Sequence, residues 1–326
     1  MKITSIKYLS QGKNETGGYR HELSLFNNLL NYFNKSNPNI KSDALRIKKS
    51  ATNIFSYLQL MGWYFIHTNA SVNILPVRGA ISAIARNLFN SSKNIVVIHS
   101  DVQPYSSKFL KAYYSFFLWI ITTIKPSNTA IVVVCKYWEN IFLIRGSKNV
   151  FNIPNLFDNS YYQKFITQHK KKKIHLGMSD PKLDTSVYEL AKQLKKEGYE
   201  CYFSTLNKEL VAQNENYSIK YFQSFDSYLT EVSESLCTLQ MPAINEGWPR
   251  LAHESLLVGT PVIGYKKGGL GDLLTEGNCC VVSNIYEAKE IILANLSNPI
   301  KDDFLEKYDL KNIDTFLAPL IDWIEN

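Results

Sequence analysis

Residues 241–274 read MPAINEGWPRLAHESLLVGTPVIGYKKGGLGDLL. An apolar strand, LCTLQMP, ends at Pro242. The loop AINEGW then carries a carboxylate, Glu246. Pro249 suits the first turn of a helix, where its missing N–H costs nothing. Glu254 lies one turn further in, Gly259 closes that helix, and TPVIGY is the next strand. Its end opens into Lys266–Gly269, with a further helix start at Gly271–Asp272. Two strand ends and two helix N-termini thus converge. Free N–H groups and the helix dipole favour a phosphate there. The glycines let backbone approach a ligand closely, and the two glutamates offer acceptors to sugar hydroxyls. Taken singly, a Glu at a helix start is an ordinary dipole-stabilising surface residue and Gly-Gly an ordinary turn. The order and spacing together make the segment informative.

Outward from this segment the same alternation repeats. Upstream, QHKKKKIHLGM sets a lysine run, Lys170 to Lys173, before a strand, expected as a solvated approach to it. Ser186 with Glu189 three residues on predicts a capping box for a helix that ends at Gly198, a glycine stop. YECYFST and SIKYF are strands, with a helix near SYLTEVSE. In the first half, MKITSIKYL is a strand, SQGKNETGG a loop and HELSLFNNLLNYF a helix. IVVIHS (95–100) and AIVVVC (130–135) are Val/Ile runs of the kind that parallel sheets bury on both faces. Residues 31–60 support no assignment. The pattern predicts an α/β protein of two Rossmann-like domains facing a cleft. The expected domains are 1–157 and 158–326, with a C-terminal helix at about 310–326 able to pack back on the first.

With 326 residues, 45% hydrophobic and 20% charged, the chain is long enough for two domains. It is too apolar for disorder and too poor in cysteine for a disulfide scaffold. Five cysteines without a C-x-x-C spacing point to a reducing compartment. The opening MKITSIKYLSQG lacks the apolar core of a secretory signal. The net charge of +7 is unevenly spread. Residues 1–160 carry 18 Lys and Arg against 6 Asp and Glu, whereas residues 161–326 carry 18 against 23. A basic half suits nucleic acid, an anionic membrane or a phosphate-bearing substrate. No zinc-finger spacing or RNA-recognition motif favours nucleic acid. The longest apolar run, FLKAYYSFFLWIITTI (109–124), has 13 uncharged residues between Lys111 and Lys125. That is short of the roughly 20 needed to span a bilayer. It fits either a core helix or a lysine-flanked helix in a membrane interface, with Phe116, Phe117, Leu118 and Trp119 inserted.

The segment 241–274 resembles the donor-binding signature of glycosyltransferase family 4, whose members have the GT-B fold. The resemblance rests on Glu246-Gly247-Trp248-Pro249, Glu254, Gly259, Pro261-Val262-Ile263 and Gly268-Gly269. It continues more weakly elsewhere. Thr16-Gly17-Gly18 resembles the family's N-terminal Gly-Gly loop, IVVIHSD (95–101) the strand ending in an active-site His, and NIPNLFD (152–158) the passage into the second domain. Three departures stand out. Family members carry Arg and Lys in a loop holding the pyrophosphate. Here it reads Gly177-Met178-Ser179-Asp180-Pro181-Lys182, so Lys182 stands for the lysine and the arginine has no counterpart. Asp272 and Ala243 stand where the family commonly has Glu and Ser.

The resemblance implies a retaining glycosyltransferase that uses a nucleotide-diphosphate sugar, with UDP the expected nucleotide. Its acceptor would be a glycan or lipid-linked sugar of surface polysaccharide synthesis. Glu246 and His99 are then the catalytic residues, with His67 in YFIHTN a rival histidine at another strand end. Gly17, Gly18, Lys182, Gly247, Trp248, Arg250, Glu254, Gly268 and Gly269 bind the donor. Within that set, Glu254 holds ribose hydroxyls, while Lys182 and backbone N–H groups stabilise the leaving phosphate. No D-x-D occurs, and the likeness implies no metal and no cofactor beyond the substrate. The expected location is cytoplasmic, peripheral on the inner membrane face. Two other readings remain open: a nucleotide-sugar isomerase of the same fold, and a non-catalytic partner of a transferase.

Overall fold

The computed structural model describes residues 3–11, 17–48, 54–100, 108–178, 183–213, 215–295 and 298–326. It divides into two units, Met1–Asn155 with Ile313–Asn326, and Leu156–Asn312. In the first, the Val/Ile runs become strands and the amphipathic stretches become helices. The order is β1 (Ser5–Gln11), α1 (Gly17–Ser36), β2 (Lys41–Ile47), α2 (Ile54–His67), β3 (Val72–Pro76) and α3 (Val77–Arg86). Then come β4 (Lys93–Ile98), α4 (Lys108–Trp119), β5 (Thr129–Val133), α5 (Lys136–Ile144) and β6 (Val150–Asn152). The six strands are all parallel, in the order β2-β1-β3-β4-β5-β6. The order reverses between β1 and β3, the place where such sheets open a crevice at their carboxyl ends.

The second unit runs α6 (Asn159–Gln163), β7 (Lys173–Met178), α7 (Ser186–Lys196), β8 (Glu200–Thr205), β9 (Ala212–Gln213), β10 (Ser218–Tyr221) and α8 (Phe225–Ser233). It continues with β11 (Cys237–Gln240), α9 (Arg250–Leu257), β12 (Val262–Tyr265), α10 (Gly269–Glu276), β13 (Cys280–Val282), α11 (Ile285–Leu293) and α12 (Asp302–Lys307). Its sheet is β13-β12-β11-β7-β8-β10-β9, parallel except for the edge pair β9–β10. Here the reversal falls between β7 and β11. Both units are therefore Rossmann-like.

Each sheet buries its own core. In the first unit Ile6, Tyr8, Ile74, Ile95, Val97 and Val132 pack under Leu25, Leu29 and Phe33 of α1. The last helix, α13 (Ile313–Glu325), joins them with Leu317, Leu320 and Ile324, so the C-terminal helix belongs to the first unit. In the second unit Ile174, Leu176, Phe203, Leu239 and Ile263 pack against Val187, Leu190 and Leu194 of α7.

Four local expectations change. The N-cap of α7 is Thr185, whose side chain makes no capping bond; instead the Asp184 carboxylate takes the first-turn N–H of Ser186 at 2.9 Å. The capping box of this unit is Ser224 with Ser227, opening α8. The lysine run is not simply solvated. Lys170 Nζ donates to Ser233 O (2.6 Å), Gly259 O (3.0 Å) and Thr260 Oγ1 (3.0 Å), and Lys172 Nζ to Glu197 O (2.7 Å). These carbonyls close α8, α9 and α7, where a cation complements the dipole. His67 ends α2 rather than a strand; its Nδ1 donates to Trp63 O at 2.7 Å and its ring stacks on Trp63. Finally, the run 109–124 divides. Phe117, Ile120 and Ile121 are buried, while Phe109, Phe116 and Trp119 are exposed. Phe117 therefore belongs to the core, which gains about 2 kcal/mol from burying such a side chain.

Candidate functional site

In the second unit the strands beside the reversal point, β7 and β11, end at Met178 and Gln240. Gly177 sits at φ +82°, and a Cβ there would stand 2.7 Å from Gln240 Nε2 and 3.1 Å from Leu239 O. Glycine is thus what lets the β7 end lie directly against β11. Residues 179–182 follow, so Lys182 lies outside the described residues.

After β11 the chain passes through residues 241–249 and starts α9 at Arg250. After β12 it passes through Lys266–Gly268 and starts α10 at Gly269. The backbone joins these two loops. Glu246 and Gly268 form a parallel bridge, Gly269 N donates to Glu246 O at 3.0 Å, and Lys267 Nζ reaches Ala243 O at 3.3 Å. Gly268 has φ +56°, and a Cβ on it would overlap the Glu246 carbonyl oxygen and stand 2.7 Å from the Glu246 nitrogen. The Gly-Gly pair therefore exists to let the Glu246 backbone close on the α10 N-terminus. Glu246, Gly268 and Gly269 form one ledge, with Gly247 next to it.

The start of α9 is fixed differently. The Trp248 indole N–H donates to His253 Nδ1 at 3.1 Å, which places the His253 proton on Nε2. His253 is fully buried, 4.3 Å from the Phe157 ring and 5.0 Å from the Phe304 ring by centroid. Burial, aided by the nearby Arg250 charge, pushes its pKa down to about 3, so it is neutral at ordinary pH. Trp248 also packs on Tyr308, 4.6 Å between centroids. The Trp248 side chain is thus an interior anchor, and only its backbone is left to serve a ligand. Arg250 lies over the Phe157 ring and pairs with Glu254, Nη2 to Oε1 3.4 Å. Glu254 is 8% exposed. The helix ends with Gly259 at φ +74°, where Gly259 N donates to Leu256 O and Thr260 N to Ser255 O, the Schellman pattern.

In the first unit α1 begins at Gly17–Gly18, and Thr16 lies outside the described residues. His99 follows β4 directly. A Cβ at Gly18 would stand 3.0 Å from His99 Cδ2, so Gly18 is what seats the imidazole against the helix start. His99 Nε2 donates to Glu22 Oε1 at 3.0 Å, and Tyr8 O–H donates to Glu22 Oε2 at 3.0 Å. Glu22 is 7% exposed. Burial, and then the Glu22 charge, push the Tyr8 phenol well above its usual range, which keeps it a donor. His21 packs edge-on to His99, 5.3 Å between centroids, with its Nε2 on Ile153 O at 2.8 Å. Across the reversal point Arg78 Nη1 donates to Gln11 Oε1 at 3.2 Å. Glu22 was missed in the sequence because a Glu on an amphipathic helix reads as surface. Its only sequence signal is its place one turn past a Gly-Gly helix start.

The structure brings Glu246, Gly268 and Gly269 together, and Gly18 against His99. Among the described residues no group of three or more His, Cys, Asp or Glu side chains is placed to hold a metal ion.

No family model matches this chain, and no curated protein matches it. Solved structures do. Sucrose-phosphate synthase from Thermosynechococcus elongatus aligns over 99% of both chains at TM-score 0.68 and 10% identity. Anabaena HepE in complex with UDP-glucose aligns over 98% of this chain and 99% of its own at TM-score 0.65 and 12% identity. TarM aligns over 86% of this chain at TM-score 0.60 and 13% identity, but this chain spans only 60% of TarM. These likenesses establish the fold: two Rossmann-like domains of the GT-B kind.

Proposed function

We propose that the chain is a retaining glycosyltransferase that moves a sugar from a nucleotide-diphosphate sugar to a glycan or lipid-linked acceptor. The observation that carries this reading is the ledge in which Glu246 is hydrogen-bonded through its backbone to Gly268–Gly269 at the α10 N-terminus. Departure of a nucleoside diphosphate develops negative charge on phosphate and positive charge on the anomeric carbon. The N–H groups opening α9 and α10 are suited to the first, and the carboxylate of Glu246, carried on that ledge, to the second. Glu254, held by Arg250, is the acceptor for ribose hydroxyls. In the first unit His99, oriented by Glu22, serves the transferring sugar or the acceptor. The neighbours support this reading, since HepE was solved with UDP-glucose and TarM with UDP and alpha-GlcNAc-glycerol. By the same reading UDP is the nucleotide, no metal is needed, and the work is surface polysaccharide synthesis at the cytoplasmic face of a membrane.

The test is thermal shift of the full chain with UDP, ADP and GDP, followed by mass spectrometry of the matching glucose donors. A nucleotide at 100 times its dissociation constant stabilises by about 2.7 kcal/mol. Stabilisation by one nucleoside diphosphate, with sugar released only when an acceptor glycan is supplied, supports the proposal. Conversion of the nucleotide sugar alone would make the chain an isomerase. No stabilisation by any of the three overturns the donor site.

A further inference from the structure

Residues 44–138 carry ten Lys and Arg and a single acidic residue, Asp101. Within this stretch α2, IFSYLQLMGWYFIH, has no Lys, Arg, Asp or Glu at all. Along it Phe55, Leu58, Gly62 and Ile66 recur at spacings of 3, 4 and 4 and so share one face. All four are exposed, the three large side chains by 75%, 58% and 63%. Along α4 Phe109, Ala112, Phe116 and Trp119 recur at 3, 4 and 3, and all four are again exposed. Both helices pack on α3, and they approach each other where the ring of Tyr57, outside the α2 stripe, stands 6.4 Å from that of Phe109 by centroid. Phe116 and Trp119 stack on each other at 5.7 Å. Lys108 and Lys111 of α4 and Lys125 just beyond it are exposed beside the apolar stripe. The buried side of α4, Tyr114 and Phe117, already satisfies the core, so the exposed side is surplus to folding.

Soluble monomers rarely leave apolar patches of this extent uncovered. We propose that the α2–α4 face docks the first unit onto an anionic lipid surface, with the aromatic side chains in the headgroup region and the lysines on lipid phosphates. The sign of the charge selects this occupant. A second copy of the chain, joined through the same face, would set the cations of one copy against those of the other, which opposes association. A bilayer supplies both the apolar layer and the anions, and long lysines beside an apolar stripe reach such phosphates readily. No described helix is long and apolar enough to cross a membrane, so the contact is peripheral. The inference goes beyond the proposed transfer reaction and does not depend on it.

The experiment is co-sedimentation of the full chain, without nucleotide, with vesicles of phosphatidylcholine alone or with about one third phosphatidylglycerol. The wild type is expected to pellet with the anionic vesicles only, and about tenfold less when salt is raised several-fold, because the attraction acts within a Debye length of about 8 Å at physiological salt. Phe116→Ser with Trp119→Ser should cut binding at least tenfold while leaving the melting temperature and the response to UDP unchanged. Phe55→Ser with Ile66→Ser on the other helix is the second variant, expected to act likewise should the first fail to fold. A wild type that stays in solution with anionic vesicles overturns the proposal. So does unchanged binding by the folded variants, or light scattering that shows a stable dimer which these substitutions dissociate. Vesicle binding without a nucleotide response would leave this proposal standing and the transferase reading fallen; the reverse result would do the opposite.

Discussion

The two units hold their candidate residues by different means. In the second, Glu246 is fixed by its own backbone, through the bridge to Gly268 and the hydrogen bond from Gly269. In the first, His99 is fixed by side chains, with Glu22 as a buried carboxylate shared between His99 and Tyr8. A backbone ledge demands particular residues at particular places, because a side chain at Gly268 has nowhere to go. A side-chain clamp demands only that a carboxylate, a phenol and an imidazole meet, and three distant stretches of chain supply them. The first kind of site leaves its whole mark in the sequence; of the second, Gly18 and His99 stand out there while Glu22 and Tyr8 do not.

Breaking the ledge should have the largest effect. Gly268→Ala must overcome both a positive φ and overlap with the Glu246 carbonyl. Strain and overpacking of this kind cost about 3 kcal/mol or more together. The expected outcome is a clear fall in melting temperature and, on the proposed function, loss of UDP-dependent stabilisation. A variant that keeps both would mean that the two loops are joined by something other than the Glu246–Gly268 contact.

Glu246→Ala removes the carboxylate and leaves the ledge. The backbone bridge does not involve the side chain, so unfolding curves should stay close to wild type. On the proposed function, turnover with saturating donor should fall roughly 10²-fold, the usual loss for one electrostatic contact made in the transition state. Turnover near wild type would remove Glu246 from the chemistry.

The same contrast decides how much of the molecule could be read in advance. Both Rossmann-like units were legible, because Val/Ile runs such as 130–135 and glycine stops such as Gly198 and Gly259 reflect demands of the backbone. The convergence of two helix starts in residues 241–274 was legible for the same reason. The place of Trp248 in the motif says nothing about where its side chain points. The partner that takes it inside, His253, is five residues on, but the Tyr308 ring beneath it is 60 residues away in sequence. Sequence does not separate Asp184 from Ser186 as the residue that bonds the α7 start, because both types form such bonds; geometry selects Asp184. The lysine run looked solvated because the carbonyls that it caps, at Glu197, Ser233 and Gly259, come from three separate helices. Residues 109–124 were legible as apolar but not as divided, since Phe116 and Phe117 are alike in composition and opposite in exposure.

Acid should weaken the second unit. His175 and His253 both lie in the second, and burial holds each at a pKa of about 3. An unfolded chain binds their protons at about 6.5, so below that pH unfolding is favoured as protons are taken up. The stability they confer is full above about pH 6.5 and is lost as pH falls toward 3. Each group contributes about 1.4 kcal/mol per pH unit in that window, or roughly 2 kcal/mol at pH 5. Urea unfolding at pH 7 and pH 5 measures it, and a flat response would show that these rings are accessible to protons in the folded state.

The smallest expected effect belongs to the side-chain clamp, and it is the sharpest test of how the clamp works. Glu22→Gln keeps the shape and removes the charge. The amide oxygen can still accept from His99 Nε2–H, while the amide N–H₂ turns to Tyr8, whose hydroxyl becomes the acceptor. The His99 bond loses its charged character, and the buried Tyr8 O–H loses the carboxylate oxygen that accepted it. A buried donor left without its acceptor costs about 1–3 kcal/mol, so the loss of stability should be about 1–2 kcal/mol. The ¹⁵N spectrum of His99 reads the consequence directly. In the wild type Nε2 carries a proton, because Glu22 accepts from that atom. In Glu22→Gln the same tautomer should persist if the carboxyl shape orients the ring. A switch to the Nδ1 proton would show instead that the negative charge sets the tautomer. In that event the clamp would fix the face that His99 presents to a ligand by electrostatics, where the ledge fixes Glu246 by backbone geometry alone.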